Sequence, residues 1–567
     1  MCIGNQAKHQ LVKNAQNTIT VFRNLLSKKF SEVPQSTINL SAPVIQHLGL
    51  PDTPAYKVAV LRPDPSPLPP GSTLTSRFNT PATSALPTPR SGPIPVDPSR
   101  YLTPDEVTTI FLRSLVSSAD AFLGKRVRDV IITVPSWFTP SQRSALQKAA
   151  METGVNALQL LDEAGAAVAT TTTSTWGNSL SPDRTQLIVN VGASSTIIAL
   201  LSLRSGLTYT LASHTTPSVG GDPIDALLVK YFSSEFTKKT MIALTVCPAA
   251  EVQDKRAEAK LHLALEHTKR TISASPGAAT CSVEPLTNGL DYTGSINCMR
   301  FDLVAQANVD PHKVDEIIYV GGSTALSGLD EHITVSGGFR EDVETPFTRG
   351  VVVGGGVGDP TTIIARGCAS QAHLISEITD PELRAAFTAN GENVEIRATT
   401  KTLGMLLPSP TDKDDSLGGT WVPIIQKETT LPARRAVHFD VELSSSNEIV
   451  LEVWESTESI RIDKIKPPKP VYSDDEDNTD EDEDEEEEEV EVKSNQTTKS
   501  SYLGLIRLTA KLGVTHRGKS EMAGRTTTTI DVTFIVGVDA GLSVSVKEVG
   551  AREGLEGAVG TLQVAGA

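Results

Sequence analysis

Little in this chain of 567 residues suits an oxidising compartment or a membrane. Its five cysteines (Cys2, Cys247, Cys281, Cys298 and Cys368) are scattered, with no CxxC and no paired spacing. An odd, dispersed set argues for a reducing compartment over a disulfide framework or a zinc site. There is no run of about 18 apolar residues, so no membrane span is expected. The start, Met1-Cys2-Ile3-Gly4-Asn5-Gln6, lacks both the charged and the apolar region of a secretory leader. A cytoplasmic location is the default reading.

Basic residues are missing from one stretch. Between Asp474 and Glu491 there are 15 Asp and Glu and no Lys or Arg. The net charge is -17, so the rest of the chain carries only about -2 and has no globally acidic surface. Like-charge repulsion predicts a solvated, disordered acidic insert over 473–498 that loops out between strands. It suits basic protein surfaces or mere solubilisation, and excludes direct contact with RNA phosphates. Apolar residues are scarce from Pro63 to Pro98, where eleven prolines mix with Ser, Thr and Gly. Too little surface can be buried there to offset chain entropy, which predicts a disordered insertion over 63–100.

The length allows about three or four domain-sized units. In residues 1–62 the stretch Asn17 to Phe30 predicts a helix with Ile19, Phe22, Leu25 and Leu26 on one face. Residues 101–378 alternate helices and strands in α/β fashion. The helix Ala257 to Ile272 is marked by Leu261, Leu265, Thr268 and Ile272 at i, i+4, i+7 and i+11. After a linker over 379–400, residues 401–567 alternate with period two. Ile530, Val532, Phe534, Val536 and Val538 make one strand, Asp539-Ala540-Gly541 a turn, and Leu542, Val544 and Val546 the return. Ile449, Leu451 and Val453 alternate likewise, so this half is an antiparallel β-sandwich.

Several motifs follow one another in the α/β part. Val130-Ile131-Ile132-Thr133-Val134-Pro135 is a strand ending in proline, and Ser141-Gln142-Arg143 opens a helix. Leu160-Leu161-Asp162-Glu163-Ala164-Gly165 comes next, then the strand Leu187 to Val191 running into Gly192-Ala193-Ser194-Ser195-Thr196. Val219-Gly220-Gly221-Asp222 and Val320-Gly321-Gly322-Ser323-Thr324 are two glycine turns. Glycine permits close backbone approach, and exposed amides bind phosphate oxygens. On the helix Ala257 to Ile272, Glu266, Lys269, Arg270 and Ser273 form a second stripe about 100° from the apolar one. That stripe reads either as a ligand-facing surface or as a solvated face with an i, i+4 ion pair.

In this order the pieces resemble the seventy-kilodalton heat-shock chaperones. The resemblance implies an actin-like two-lobed ATPase domain, incomplete at the N-terminus, followed by the β-sandwich. It implies that Glu266, Lys269, Arg270 and Ser273 hold adenosine. Gly192, Ser194, Ser195, Gly220, Gly221, Gly321, Gly322 and Ser323 would lie at the nucleotide's phosphates, and Pro135 would couple nucleotide state to the second domain. Arg23 and Glu163 fall at the family's catalytic lysine and active-site glutamate, as vestigial catalytic candidates. Ala325 replaces an arginine that stacks on adenine, and Ala164 replaces a proline.

The departures concentrate on hydrolysis. The family's second phosphate loop has aspartates where this chain has Asn190 and Ile197. Those carboxylates help order magnesium and water for attack on the γ-phosphate. ATP is therefore the expected cofactor, with magnesium held weakly or not at all and hydrolysis impaired. The first phosphate loop has no counterpart, since Ile3 to Lys8 already aligns several dozen residues into the family domain. A helix is missing after Gln306, and no helical lid follows the sandwich. Together with the proline-rich insertion, these gaps fit a faulty gene model.

Lys401 to Gly404, Thr420 to Ile425 and Thr429 to Pro432 follow the family's peptide-binding β-domain in order. Weakened hydrolytic residues, no lid and an acidic insert together resemble the atypical subunit of the fungal ribosome-associated complex. That resemblance implies a J-domain partner of the zuotin type, with the ribosome and nascent polypeptides nearby. No direct nucleic-acid contact and no membrane partner are expected. The competing readings are a working chaperone ATPase and a small-molecule kinase of the same fold superclass. The adenosine stripe and the sandwich both argue against the kinase.

Overall fold

The computed structural model describes residues 2–34, 41–59, 100–176, 180–216, 219–249, 251–274, 278–297, 311–326, 328–388, 397–408, 417–443, 447–465, 490–515, 526–549 and 557–565. Residues 63–99 of the predicted disordered insertion, most of the acidic insert and the gap after Gln306 lie outside the described residues, while Arg100, assigned to that insertion, instead opens a strand. The chain divides into two compact units. The first comprises Met1–Glu163, Gly221–Asp302 and Cys368–Glu392, and the second Ala164–Gly220, Leu303–Gly367 and Asn393–Ala567.

In the first unit a helix over Asn5–Asn14 leads into a three-stranded antiparallel sheet, Val44–Gln46, Pro54–Val58 and Arg100–Leu102. The helix Pro104–Leu123 starts where its sequence dictates. Thr103 and Glu106 form a reciprocal capping box, proline occupies the first turn, and left-handed Gly124 ends it. The parallel strands Asp129–Val134 and Asn156–Asp162 are joined through the helix Pro140–Glu152, capped in the same way by Thr139 and Gln142. The predicted helix opening at Ser141 is therefore found. A helical pair, Gly221–Thr240 and Val252–Ala274, packs with the hairpin Ala278–Thr287 and Leu290–Asn297. Val229, Phe232, Phe236, Leu261, Leu265 and Tyr292 fill the core there. Of the predicted stripe, Leu261, Leu265 and Thr268 are buried, and the Ile272 side chain lies outside the described residues.

The predicted helix over Asn17 to Phe30 is not formed. Thr18 to Val21 is followed by a 3₁₀ turn over Phe22–Leu25, and Val21 and Ser27 adopt left-handed φ of 57° and 54°. Two such residues interrupt any α-helix. The apolar residues are buried for another reason. Leu25 packs with Val44, Tyr56 and Val107, whereas Leu26 packs with Val134, Phe138 and Leu146. The segment bridges two small cores instead of presenting one face.

The second unit holds a four-stranded sheet in the order Glu316–Val320, Asp183–Val191, Thr196–Arg204, Leu207–Thr216. The Glu316 strand runs parallel to the Asp183 strand, and the other pairings are antiparallel. Glu316 itself is fully buried. Its carboxylate accepts hydrogen bonds from Trp176 Nε1 at 2.7 Å, Gln186 Nε2 at 2.6 Å, Arg184 Nε at 3.1 Å and an Arg349 guanidinium nitrogen at 3.3 Å. A buried carboxylate persists only with partners of this kind.

The sandwich belongs to the same unit. One sheet runs Gly419–Ile425, Thr402–Pro408, Glu448–Ile465, Val490–Thr509. The other runs Ala433–Glu442, Thr526–Val536, Leu542–Val549, Val559–Val564, with Val514–Thr515 added at Thr526. Met405, Leu451, Val453, Ile530, Val532, Phe534, Val544 and Val546 fill the space between the two sheets. The antiparallel sandwich and its hairpin at Asp539 to Gly541 are as expected, with Ala540 in the turn at φ 61°. Val538 is a correction: the strand stops at Val536, and Val538 is exposed in the turn. The acidic insert also ends sooner than 498. The strand resumes at Val490, and Ile465 and Val490 are direct partners across the hairpin. The linker over 379–400 is not featureless, since it carries the helix Pro381–Thr388 and an isolated bridge from Ala398 to Thr430.

Glu548, also buried, closes the end of the sandwich. It accepts backbone N–H bonds from Lys511, Leu512 and Ala558 and a hydroxyl bond from Thr528. Burial alone would raise its pKa, but these donors outweigh it and hold the carboxyl below the usual range. Stability from Glu548 is thus fully present above the unfolded carboxylate range, and is lost as pH falls through the depressed folded value. We predict that Glu548→Gln costs about 1–3 kcal/mol at neutral pH, from an unmatched buried amide. Unfolding curves across acid pH should also show a shallower acid-side loss in the variant than in the parent.

Candidate functional site

The candidate residues are divided between the two compact units, a set of turns in the second, and a helix stripe, the Arg23–Glu163 pair and Pro135 in the first. In the second unit the phosphate-side turns converge at one end of the four-stranded sheet. The hairpin turn after Val191 is closed by Gly192 N–H donating to the Ser195 carbonyl at 3.0 Å. Thr196 Oγ1 donates to the Val219 carbonyl at 3.1 Å, which ties this turn to the one before the helix at Gly221. A Cβ on Gly220 would meet Ala193 O at 2.7 Å and Ser195 N at 3.0 Å, so only glycine fits there. Gly321 has φ 93° and lies against the Val191 carbonyl, while its N–H donates to Pro360 O at 2.9 Å. Gly322 opens the 3₁₀ turn Gly322–Ala325. The sheet register explains this convergence, because Val320 pairs with Asn190 at the ends of parallel strands.

Gly192, Ser194, Ser195, Gly220, Gly321, Gly322 and Ser323 thus share one end of the second unit. Ser194, Ser195 and Ser323 are half-buried and Gly322 is exposed. Asn190 and Ile197, which stand where the resemblance expects aspartates, are direct cross-strand partners at the base of the hairpin. Both are buried. Neither can carry charge, so the turn end of this hairpin, Asn190 to Ile197, offers hydroxyl and amide groups but no carboxylate.

In the first unit the helix Val252–Ala274 presents Glu266, Lys269 and Arg270. Arg270 donates to Glu266 at 2.8 Å across one turn and is largely exposed, so part of the stripe is an i, i+4 ion pair. Lys269 pairs with Asp225 at 2.5 Å, on the helix that begins at Gly221. Glu266 has a second cationic partner in Lys8 of the N-terminal helix. Burial lowers the pKa of Lys8, and the nearby Lys269 and Arg270 add to this against Asp225 and Asp222. Asp222 is raised by burial and by Asp225, opposed by His262, Lys269 and Lys8. Ser273 lies in the last turn of the helix, and its side chain is outside the described residues.

Sequence reasoning missed Lys8 and Asp225. Asp225 sits three residues after Asp222 on a helix, a spacing that could have suggested it. Lys8 carries no local signal, because its contact joins positions far apart in the chain.

Arg23 and Glu163 meet, with a guanidinium nitrogen 3.4 Å from Glu163 Oε1. Arg23 sits in the 3₁₀ turn Phe22–Leu25 and is half exposed, so the pair contributes about 0–1 kcal/mol to stability. Asp162, next to it, is raised by burial, opposed by Arg143 and the Glu163 N–H. Pro135 follows the strand Asp129–Val134 directly, and its carbonyl accepts from Phe138 N–H at 3.0 Å.

Two glycines give contrasting expectations. Gly220→Ala forces backbone against backbone and should cost about 1–3 kcal/mol in denaturant unfolding. At Gly322 a Cβ would touch only Thr361 Cγ2 at 3.9 Å, so Gly322→Ala should stay within about 0.5 kcal/mol of the parent.

Comparison with known proteins gives these observations a family. The Hsp70 protein family model matches residues 94–382. A heat shock protein 70 homolog of Schizosaccharomyces pombe is 29% identical over 499 residues, covering 84% of this chain and 76% of the relative. The ribosome-associated complex subunit SSZ1 of Saccharomyces cerevisiae is 25% identical over 491 residues, covering 84% and 79%. A heat shock 70 kDa protein of Emericella nidulans is 25% identical over 375 residues, covering 63% and 52%. Among the described residues no helix is long and apolar enough to cross a membrane. With the family come an actin-like ATP-binding domain and a β-sandwich, matching the mixed α/β parts and the two facing sheets. The chain belongs to the Hsp70 family.

Proposed function

We propose that this chain is an ATP-holding chaperone subunit that hydrolyses nucleotide poorly or not at all. The observation that carries the reading is the pairing of Asn190 with Ile197 at the base of the phosphate-side hairpin. Two neutral side chains stand where hydrolysis calls for carboxylates that order magnesium and water. Removing preorganised charge of that kind raises a barrier by about 3–4 kcal/mol per group.

The donor set still suits the nucleotide itself. Hydroxyls of Ser194, Ser195 and Ser323 and backbone amides at Gly220, Gly221 and Gly322 match phosphate oxygens, while Gly192 and Gly321, whose N–H groups already donate to backbone carbonyls, let the backbone come close. Glu266 can accept from ribose hydroxyls, and Lys269, Arg270 and Ser273 can donate to the nucleoside. Magnesium finds no carboxylate at the turn end of the hairpin, Asn190 to Ile197, so its hold is weak. Bound ATP would supply binding energy and conformational bias rather than turnover. Pro135 is assigned the coupling of nucleotide state to the sandwich.

The place of action follows from likeness. Because SSZ1 is named as a subunit of the ribosome-associated complex, we assign this chain to the cytoplasm, beside the ribosome, with a J-domain partner and nascent polypeptides. An active, ATP-hydrolysing chaperone is the second reading. The Arg23–Glu163 ion pair favours it, since a charged couple survives at the catalytic candidates.

Filter binding with labelled ATP, resolving ATP from ADP over time, tests the proposal. Retained and uncleaved ATP is expected, whereas steady conversion to ADP would establish the active ATPase instead. Replacing both Lys269 and Arg270 by Ala should weaken ATP binding at least tenfold, since a hydrogen bond to a charged group contributes about 1.5–3 kcal/mol. An unchanged affinity would return the stripe to a solvated face.

A further inference from the structure

The helix Val252–Ala274 carries more chemistry than the adenosine stripe. Glu258 and His262 lie two turns and one turn before Glu266, on the same side of the helix. The preceding segment brings Cys247 against them. The ligand atoms of Cys247, Glu258 and His262 lie within 4.8 Å of one another, and all three residues are half-buried. Nothing in the nucleotide reading uses these groups.

Their arrangement is specific at the level of atoms. Glu258 Oε2 accepts the backbone N–H groups of Cys247 and Ala249, each at 3.0 Å, which fixes the segment to the helix. The other oxygen, Oε1, is left facing Cys247 Sγ at 3.8 Å and His262 Nε2 at 4.0 Å. Cys247 has φ 50°, a left-handed conformation costly for a non-glycine residue. Ligands on a tetrahedral zinc ion, at about 2.0–2.3 Å from the metal, lie about 3.3–3.6 Å from one another. The Oε1 separations of 3.8 Å to sulfur and 4.0 Å to nitrogen lie slightly outside that range, and the sulfur-to-nitrogen separation lies within 4.8 Å, so side-chain rotation of an ångström or less at each ligand would close the site.

We propose that Cys247 Sγ, Glu258 Oε1 and His262 Nε2 bind one zinc ion, with water in the fourth position. A thiolate, an imidazole and a carboxylate select a borderline-soft cation over magnesium or calcium. Thiolate and carboxylate together neutralise the dication. On binding, the Cys247 S–H bond breaks, a sulfur–zinc bond forms, and the proton passes to solvent. Without metal the thiol stays protonated at neutral pH, because burial, the Glu258 charge and their hydrogen bond push it up to about 11, with Lys230 opposing. Spacing rules miss such a site, since one ligand comes from a connecting segment and two from a helix at i, i+4.

The test uses the full-length chain, stripped of metal with chelator and titrated with cobalt(II) and then zinc. Cobalt should give a thiolate-to-metal charge-transfer band saturating at one equivalent, and zinc should abolish it by displacement. Cys247→Ser should lose the band. His262→Ala should weaken zinc at least tenfold, since even residues behind the ligands cost 10–100-fold when lost. Circular dichroism checks that each variant folds, and His262→Ala alone decides the matter if the cysteine variant does not. The proposal is overturned if cobalt gives no thiolate band, or if the band survives Cys247→Ser. Unchanged zinc affinity in His262→Ala overturns it equally.

Discussion

The phosphate-side turns depend on one buried carboxylate. Glu316 collects hydrogen bonds from Trp176, Arg184, Gln186 and Arg349, which come from three separate stretches of the chain. Its desolvation is tolerable only because every one of these partners is in place, and breaking such a network typically costs about 3–5 kcal/mol. The network fixes Glu316 opposite Gln186, and the parallel register then carries Val320 to Asn190. From that pairing follows the meeting of the Gly321 turn with the hairpin at Gly192. A buried charge at one end of the strand thus sets where the glycine turn at its other end sits.

Charge is distributed very differently at the two groups of candidate residues. On the helix Val252–Ala274, cations and anions are already matched, Lys269 with Asp225 and Arg270 with Glu266. A ligand arriving there exchanges partners and does not neutralise an empty field. At the hairpin the side chains at Asn190 and Ile197 are neutral, and binding rests on hydroxyls and backbone amides. On the reading proposed above, such a surface would hold a polyanion without activating water against it. Membership of the Hsp70 family thus coexists with neutral side chains at Asn190 and Ile197.

Much of this was legible in the sequence, for reasons that can be stated. The strand ending at Pro135, the helix with Leu261 and Leu265, and the hairpin at Ala540 all rest on short-range patterns, which local sterics enforce. The glycine turns were visible too, but the sequence could not say that Gly220 and Gly321 are also demanded by neighbouring carbonyls. Asn17 to Phe30 misled, since Leu25 and Leu26 face different cores and only resemble a helical face. Lys8 beside Glu266 and the four partners of Glu316 were out of reach. Those contacts join residues distant in sequence, and composition and periodicity report only on near neighbours.

The long hairpin of the sandwich has one more implication. Only Glu452 to Ser456 of its first strand pair with Thr402–Pro408, yet the hairpin continues in register from Thr457 to Ile465 against Val490 to Thr498. Those nine paired positions form a two-stranded ribbon about 30 Å long, at roughly 3.3 Å per residue. Ile465 and Val490 face each other at the tip of that ribbon. The sheet therefore reaches well past the last residue that Thr402–Pro408 supports, and the outer half of the hairpin holds its register by cross-strand pairing alone.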